Sequence, residues 1–334
     1  MTTIPDVQRA WIAVRRGKPV KALVLQEEWP VMKKLKDGEI LVKVEAAALN
    51  PVGWKMMRVL PNVLARRPHI AEHDFSGVVV DANDGNLNVG DNTGQGVLAQ
   101  YITVNADQVA IRPANVTPTQ AAGITLAALT AYQALVGVAK LKADQTVFIN
   151  GGSTTVGAFA IQLAKIKGAK VIATASARNE AFVRKMGADE FIDYTKEPLV
   201  AFLTHNPPST KYSVIFDAVG LVEPSLFTHS AKYLAPGGIF VSTGPLPHGW
   251  KDTWKMIRTI GAITTPSWLG NVNRRWALVA VKNAAEDLQE IQKLLANGSL
   301  LPIVDSVFAF EDALKAYDRI LTTRAVGKVV VKVD

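Results

Sequence analysis

The spacing of apolar positions changes character along the chain. Over about the first 115 residues, short runs rich in Val, Ile and aromatic residues are bounded by Gly, Asp, Asn or Pro. Such runs predict strands, here "KALVLQ", "EILVKVEAAAL", "FSGVVVD", "LAQYITV" and "QVAIRP", and together a small all-β module. "TPTQAAGITLAALTAYQALVGVA" then opens on Thr-Pro, a helix-start signal, and continues as a long apolar helical stretch. From Gln145 strands and helices alternate. "TVFIN" precedes the helix "VGAFAIQLAKIKG", "KVIATAS" precedes "NEAFVRKMG", and "EFIDY" precedes a short helix. "YSVIFDAVG", the helix "PSLFTHSAKYLA" and "GGIFVSTG" follow. This alternation predicts a parallel sheet covered on both faces. A further helix is predicted around "WALVAVKNAAEDLQEIQKLLANG", then "VDSVFAF", the helix "EDALKAYDRIL" and a β-like tail, "GKVVVKV". The tail resembles the first module and is expected to complete it.

The stretch "INGGSTTVGA" joins the first strand of the alternating region to a helix starting near Thr155. The first N–H groups of a helix lack intrahelical acceptors, and the helix dipole favours an anion there. Small residues admit a pyrophosphate, and Ser153, Thr154 and Thr155 offer hydroxyls. The strict G-x-G-x-x-G fingerprint is absent: Gly151, Gly152 and Gly157 form a looser G-G-x-x-x-x-G. Ala158 stands where a P-loop needs Lys. The same residues also suit a plain strand-to-helix turn. The next strand end separates the readings further. An NAD site carries Asp or Glu there, whereas "IATASARNE" places Ser176 and Arg178. A hydroxyl and a guanidinium suit a 2′-phosphate, so NADPH is the expected cofactor. The alternative is that Ser176 caps the next helix and Arg178 is solvated.

Composition narrows the chemistry. The 334 residues are 49% apolar and 20% charged, enough for two domains with a sizeable core. With no Cys, disulfides, thiolate catalysis and Cys-liganded zinc are excluded. The histidines, His69, His73, His205, His229 and His248, show no H-E-x-x-H spacing, and no metal is expected. The net charge of +8 comes without a long Lys/Arg run or a nucleic-acid-binding motif. It reads as a basic surface that attracts anions such as a phosphorylated cofactor. No apolar run approaches the length of a membrane span and the N-terminus lacks a signal-peptide core. A soluble cytoplasmic protein is expected, without nucleic-acid or membrane partners.

Several motifs resemble the zinc-independent medium-chain dehydrogenases/reductases, a group that includes quinone reductases, alkenal and enone reductases and fungal trans-acting enoyl reductases. They are "AAALNPVGWK" (46–55), "HDFSGVVV" (73–80), "VGD" (89–91), "LTAYQAL" (129–135), "GGSTTVGAFAIQLAK" (151–165), "GAD" and "FIDY" (187–194), "FDAVG" (216–220) and "GKVVVKV" (327–333). "GGST" and "ALNPxxWK" look most like the enoyl-reductase branch. The resemblance implies an α/β protein: a GroES-like β domain over 1–117 and 275–334, and a Rossmann doubly wound parallel-sheet domain over 118–274. NADPH would bind in a cleft, with substrate above its nicotinamide.

Carried over motif by motif, Gly152, Ser153, Thr154, Thr155 and Val156 would hold the pyrophosphate. Ser176, Arg178 and Tyr194 would surround the 2′-phosphate, unless Tyr194 only covers the core. Val219 and Gly220 would lie under a ribose, and Gly244 and Pro245 would face the nicotinamide. Thr130 would approach the carboxamide or substrate. Asn50 and Lys55 would line the cleft, with Lys55 and Thr130 the catalytic candidates. Lys55 is equally readable as an exposed helix base. Zinc-dependent members place a ligand Cys at the Asn50-Pro51 position and a His-Glu pair where His73-Asp74 stands, so His73 is expected to be packed or hydrogen-bonded. Family members commonly have Asp at the position of Gly53, and that local hydrogen bond is expected to be missing. "GDNTGQGVLAQY" is shorter than in relatives, which implies an open pocket or residues missing from this sequence.

The implied reaction is hydride transfer to the β-carbon of an enone or enoyl thioester; no Tyr-x-x-x-Lys pair is present to give the proton, which leaves the donor open, with water as one source. A quinone or aldehyde reductase, or a non-catalytic NADPH-binding sensor, stands as the alternative. A monomer or homodimer is expected, with a polyketide synthase as the partner the resemblance suggests.

Overall fold

A computed structural model describes residues 4–82, 96–245 and 253–333. "VGD", His248 and most of the short loop before "LAQY" lie outside the described residues. The chain begins with β1 (Val7–Ala13), α1 (Pro19–Ala22), β2 (Leu23–Pro30), β3 (Glu39–Ala48), α2 (Pro51–Val59), β4 (His69–Ile70), β5 (Asp74–Asp81) and β6 (Tyr101–Asn105). Next come α3 (Pro118–Ala122), α4 (Thr125–Tyr132), β7 (Thr146–Asn150), α5 (Thr155–Ile166), β8 (Lys170–Ala175), α6 (Glu180–Lys185), β9 (Glu190–Asp193), α7 (Leu199–His205) and β10 (Tyr212–Asp217). The rest are α8 (Ser225–Thr228), β11 (Leu234–Ser242), α9 (Thr253–Thr264), β12 (Arg275–Leu278), α10 (Ala285–Ala296), β13 (Val304–Ala309), α11 (Ala313–Leu321) and β14 (Lys328–Lys332).

The chain forms two compact units, 1–126 with 283–334, and 127–282. The sequence places these bounds at 118 and 275. The difference has two sources: α3 packs on β3 and β5, and β12 pairs with β11. In the first unit β3 is central, antiparallel to β5, β6 and the returning tail strand β14. Its core gathers Trp11, Ile12, Val42, Leu98, Ile102, Phe310 and Tyr317. Each large side chain buried there contributes roughly 1.5–3 kcal/mol. The Trp11 indole N–H, which needs an acceptor when buried, donates to Phe310 O at 2.8 Å.

The second unit is a six-stranded parallel sheet in the order β9-β8-β7-β10-β11-β12. Relative to β7 as the first strand this is the 3-2-1-4-5-6 order of a Rossmann fold. Its strands read as continuous apolar runs because both faces are covered. Phe148, Ile215, Phe227, Tyr233 and Phe240 form one core cluster. The strand order reverses between β7 and β10, and ligands of open α/β sheets bind outside the strand C-termini at such a switch point.

Four local expectations are corrected. "QVAIRP" forms no strand among the described residues: Val109 packs on the core, but Ile111 is 81% exposed, and Pro113 has no N–H to give a ladder. The long helix from Thr117 breaks at Gly123, which ends α3, and passes from α4 into a π-helical turn at Gln133–Val138. "WALV" is not helical, because pairing with β11 overrides its local preference. The predicted helix at "PSLFTHSAKYLA" is reduced to α8 and a 3-10 turn, where the His229 ring bonds the Ser225 carbonyl.

Candidate functional site

In the second unit the Gly151–Gly157 turn sits at the C-terminal end of β7. Gly151 adopts φ +84°, and a Cβ on Gly157 would overlap the Gly151 carbonyl, so both glycines answer to the turn's own geometry. Thr154 is the N-cap of α5. Its hydroxyl accepts from Gly157 N at 3.0 Å and donates to Gly151 O at 2.8 Å. Its one proton is therefore committed, which corrects its expected role as a free phosphate donor. Ser153, Thr155 and Val156 are half-buried, and their N–H groups have no acceptor among the described residues. These N–H groups open the helix and fit an anion. Gly152 is buried, and its N–H donates to Thr174 O at 2.7 Å.

One hydrogen-bonded chain runs across four strand ends. The Thr174 hydroxyl accepts from Gly151 N and donates to Asn150 Oδ1, both at 2.9 Å. Asn150 Nδ2 donates to Asp217 Oδ1 at 2.9 Å. The Asp217 carboxylate also accepts from Val219 N at 3.2 Å, Leu221 N at 2.8 Å and the Ser242 hydroxyl at 3.3 Å. Gly244 N closes the chain on Ser242 Oγ at 3.1 Å. Burial raises the Asp217 carboxyl above its ordinary value, and these donors act against that shift. The chain thus ties the Gly151 turn to Val219, Gly220 and Gly244. Val219 is exposed, Gly220 and Gly244 are buried, and Pro245 is half-buried. Sequence reasoning missed Asn150, Thr174 and Asp217. Their signal is a polar residue at or next to the end of a buried apolar strand.

Ser176 follows β8 and Tyr194 follows β9. Tyr194 N donates to Ala175 O at 3.3 Å, which brings the two strand ends together. The Ser176 side chain makes no capping bond, so it does not serve the turn after it. Tyr194 is exposed and is no core cover. Arg178 is exposed, with no ion pair or hydrogen bond among the described residues. Thr130 is buried on α4 in this same unit.

The first unit holds Asn50 and Lys55. Lys55 lies half-buried on α2, with its Nζ 5.7 Å from the Trp54 ring centroid. It has no ion-pair partner among the described residues, and burial lowers its ammonium from the ordinary value. Asn50 is buried and its amide is committed within the unit. Nδ2 donates to Asp74 Oδ2 at 3.1 Å, and Oδ1 accepts from Lys328 Nζ at 2.5 Å. Lys328 Nζ also pairs with Asp74 Oδ2 at 2.8 Å and reaches Leu49 O at 3.4 Å. Lys328 and Asp74 are 5% and 4% exposed. This engagement corrects the picture of Asn50 as a free cofactor contact.

Two further expectations change here. His73 is exposed at the start of β5 and has no hydrogen bond among the described residues. The room left by Gly53 is filled: a Cβ there would lie 2.6 Å from Glu72 Oε1. Glu72 is fully buried at φ +65°, accepting from Tyr317 OH at 2.6 Å and Asn50 N at 3.1 Å. A carboxyl therefore occupies the place beside Gly53, brought from another segment. Burial raises Glu72 to about 7, against the opposing Tyr317 bond.

Residues 36–114 match the alcohol dehydrogenase GroES-like domain, and residues 186–331 match the family described as zinc-binding dehydrogenase. A trans-enoyl reductase of Aspergillus terreus is 31% identical over 100% of this chain and 98% of its own length. An NADPH-dependent alkenal/one oxidoreductase of Arabidopsis thaliana is 31% identical over 98% of this chain and 80% of its own. The quinone oxidoreductase structure from Coxiella burnetii superposes with a TM-score of 0.79 at 28% identity, covering 98% of this chain and 99% of that one. The zinc named for the family finds no fitting set of ligands among the described residues. Among the described residues no group of three or more His, Cys, Asp or Glu could hold a metal ion, and the Lys328 ammonium already neutralises Asp74. With a GroES-like first unit and a Rossmann second unit, this chain is an oxidoreductase of the medium-chain dehydrogenase/reductase family.

Proposed function

We propose that the protein is an NADPH-dependent, zinc-independent reductase of activated C=C bonds, in enones or enoyl thioesters. The observation that carries the cofactor choice is Arg178, a guanidinium with no partner among the described residues, beside Ser176 just after the end of β8, where an NAD site would carry a carboxylate. The names of the Aspergillus and Arabidopsis relatives support the acceptor class. Bound NADPH supplies the hydride, so the protein's contribution is position and charge.

Each part of the chain then has a task. The free N–H groups of Ser153, Thr155 and Val156 hold the pyrophosphate. Ser176, Arg178 and Tyr194 hold the 2′-phosphate. The Asp217 chain keeps the Val219–Gly220 and Gly244–Pro245 turns in register. Lys55, a cation with no carboxylate partner among the described residues, stabilises negative charge growing on the acceptor's carbonyl oxygen. Thr130 orients the carboxamide or substrate by a hydrogen bond. The α-carbon proton comes from water.

Following NADPH absorbance with an enone, an enoyl thioester, a quinone and a benzaldehyde tests the reading. Fast oxidation by the first two supports it. A preference for the quinone moves the chain to the second reading, which the Coxiella structure favours by its name. Tight NADPH binding with no oxidation by any acceptor makes it a binding protein.

A further inference from the structure

Two segments of the first unit carry no Asp or Glu at all, residues 7–26 and 46–71. Hydrogen bonds bring them together. Gly17 N donates to Met57 O at 3.1 Å, Arg16 N to Asn62 Oδ1 at 2.7 Å, and Arg16 Nε to Arg58 O at 3.0 Å. The result is one surface rimmed by Arg15, Arg16, Lys18, Lys21, Arg58 and Arg66, all exposed. None of the six forms an ion pair among the described residues.

Next to Arg16 the compact turn 61–67 exposes apolar side chains. Val63 is 86% exposed and Leu64 71%. The turn is anchored from beneath. Ala65 N donates to Pro61 O at 3.0 Å, and Arg67 N to Asn62 O at 3.1 Å. The Arg67 guanidinium donates to the carbonyls of Leu60 at 2.8 Å and Met57 at 3.1 Å, and to Asn62 Oδ1 at 3.1 Å. Val59 on α2 and Val20 on α1 are exposed too. Water disfavours an apolar pair held out in this way, so such a patch marks an interaction site.

We infer that this surface docks the protein peripherally on an anionic lipid bilayer, with Val63 and Leu64 entering the headgroup boundary and the six cations meeting the lipid phosphates. Charge complementarity fixes the sign of the partner: only an anionic surface matches six unpaired cations. The projecting tip favours a bilayer, which accepts a protruding apolar pair anywhere, whereas a protein would need a matching socket. A polybasic ring around a shallow apolar insertion is the physical recipe for reversible surface binding. It requires no spanning segment, and no helix among the described residues is long and apolar enough to cross a membrane. The inference revises the sequence-based expectation of no membrane partner.

Co-sedimentation of the full chain with vesicles tests it. Vesicles of phosphatidylcholine mixed with phosphatidylglycerol should carry the protein down, and pure phosphatidylcholine should not. High salt should release it, since exposed charges are screened. Arg58→Glu with Arg66→Glu should weaken vesicle binding by about tenfold or more, and Val63→Ser with Leu64→Ser should weaken it with all charges retained. Lys232→Glu, a change of equal charge in the other unit, should have little effect. Thermal melts check that each variant is folded. Equal binding to both vesicle types, no binding to either, or an effect of Lys232→Glu equal to that of the patch variants overturns the inference. So does binding to soluble polyglutamate without binding to anionic vesicles, which would indicate an acidic protein instead. NADPH oxidation is measured separately, so loss of the proposed reaction and loss of vesicle binding are told apart.

Discussion

Asn150 Nδ2 and Asp217 Oδ1 meet at 2.9 Å across the C-terminal ends of β7 and β10, the parallel strands between which the strand order reverses. The carboxylate accepts from four groups on three segments. Removing it orphans buried donors, each costing about 1–3 kcal/mol. Asp217→Ala is therefore expected to lower the melting temperature and to weaken NADPH binding more than Asp217→Asn. Calorimetric titration with a parallel melt checks this. Unchanged affinity in Asp217→Ala would separate the hydrogen-bonded chain from the cofactor.

Arg178 is solvent-exposed, so its removal leaves packing intact. Arg178→Ala is expected to weaken NADPH binding by about 1–3 kcal/mol, the range of charge-assisted contacts, and to leave NADH nearly unaffected. Equal affinities of the wild type for both cofactors would remove the basis of this assignment.

Gly152 and Thr154 differ in kind. A Cβ at Gly152 would lie 3.0 Å from Ala173 Cβ and 3.1 Å from Ile161 Cδ1, against the core and not only toward a ligand. Gly152→Val is expected to lower both stability and NADPH affinity. Thr154→Ala removes a helix cap and should cost about 1 kcal/mol of stability, with a smaller effect on affinity. A Gly152→Val variant that melts and binds like wild type would contradict the packing.

Lys328 and Asp74 form a buried pair. Lys328→Met leaves the Asp74 carboxylate uncompensated, a change that typically costs about 3–5 kcal/mol. Adding Asp74→Asn to Lys328→Met should recover part of the loss, as a denaturant melt will show. The same pairing predicts that prolonged chelation leaves any reductase rate intact. A loss restored by added zinc would count against it.

Glu72 sets a pH dependence of stability. Its folded value of about 7 lies above the ordinary 4.5, so the folded state holds the proton more tightly than the unfolded one. Stability from this group is fully present below 4.5 and falls as pH rises through about 7. The total is on the order of 3 kcal/mol at about 1.4 kcal/mol per unit. Glu72→Gln is expected to flatten the melting temperature over that window. A wild-type slope of the opposite sign, or one unchanged in Glu72→Gln, would rule out Glu72 as the source of the pH dependence.

Periodicity alone determined the alternating β/α region, the parallel sheet and the turn that opens α5, because those features rest on apolar spacing and on local Gly and Thr chemistry. Composition alone removed thiolate and Cys-zinc chemistry. Tertiary structure decided what depends on residues far apart in sequence. Whether "WALV" is helix or strand depended on β11 being there to pair with it. Thr154 looked like a phosphate donor until the fold set its hydroxyl between Gly151 and Gly157. The Lys328–Asp74–Asn50 centre joins residues up to 278 positions apart, and no local pattern encodes such a meeting. The cationic surface around Val63 and Leu64 was equally invisible in the chain, since it exists only once two acid-free segments fold against each other.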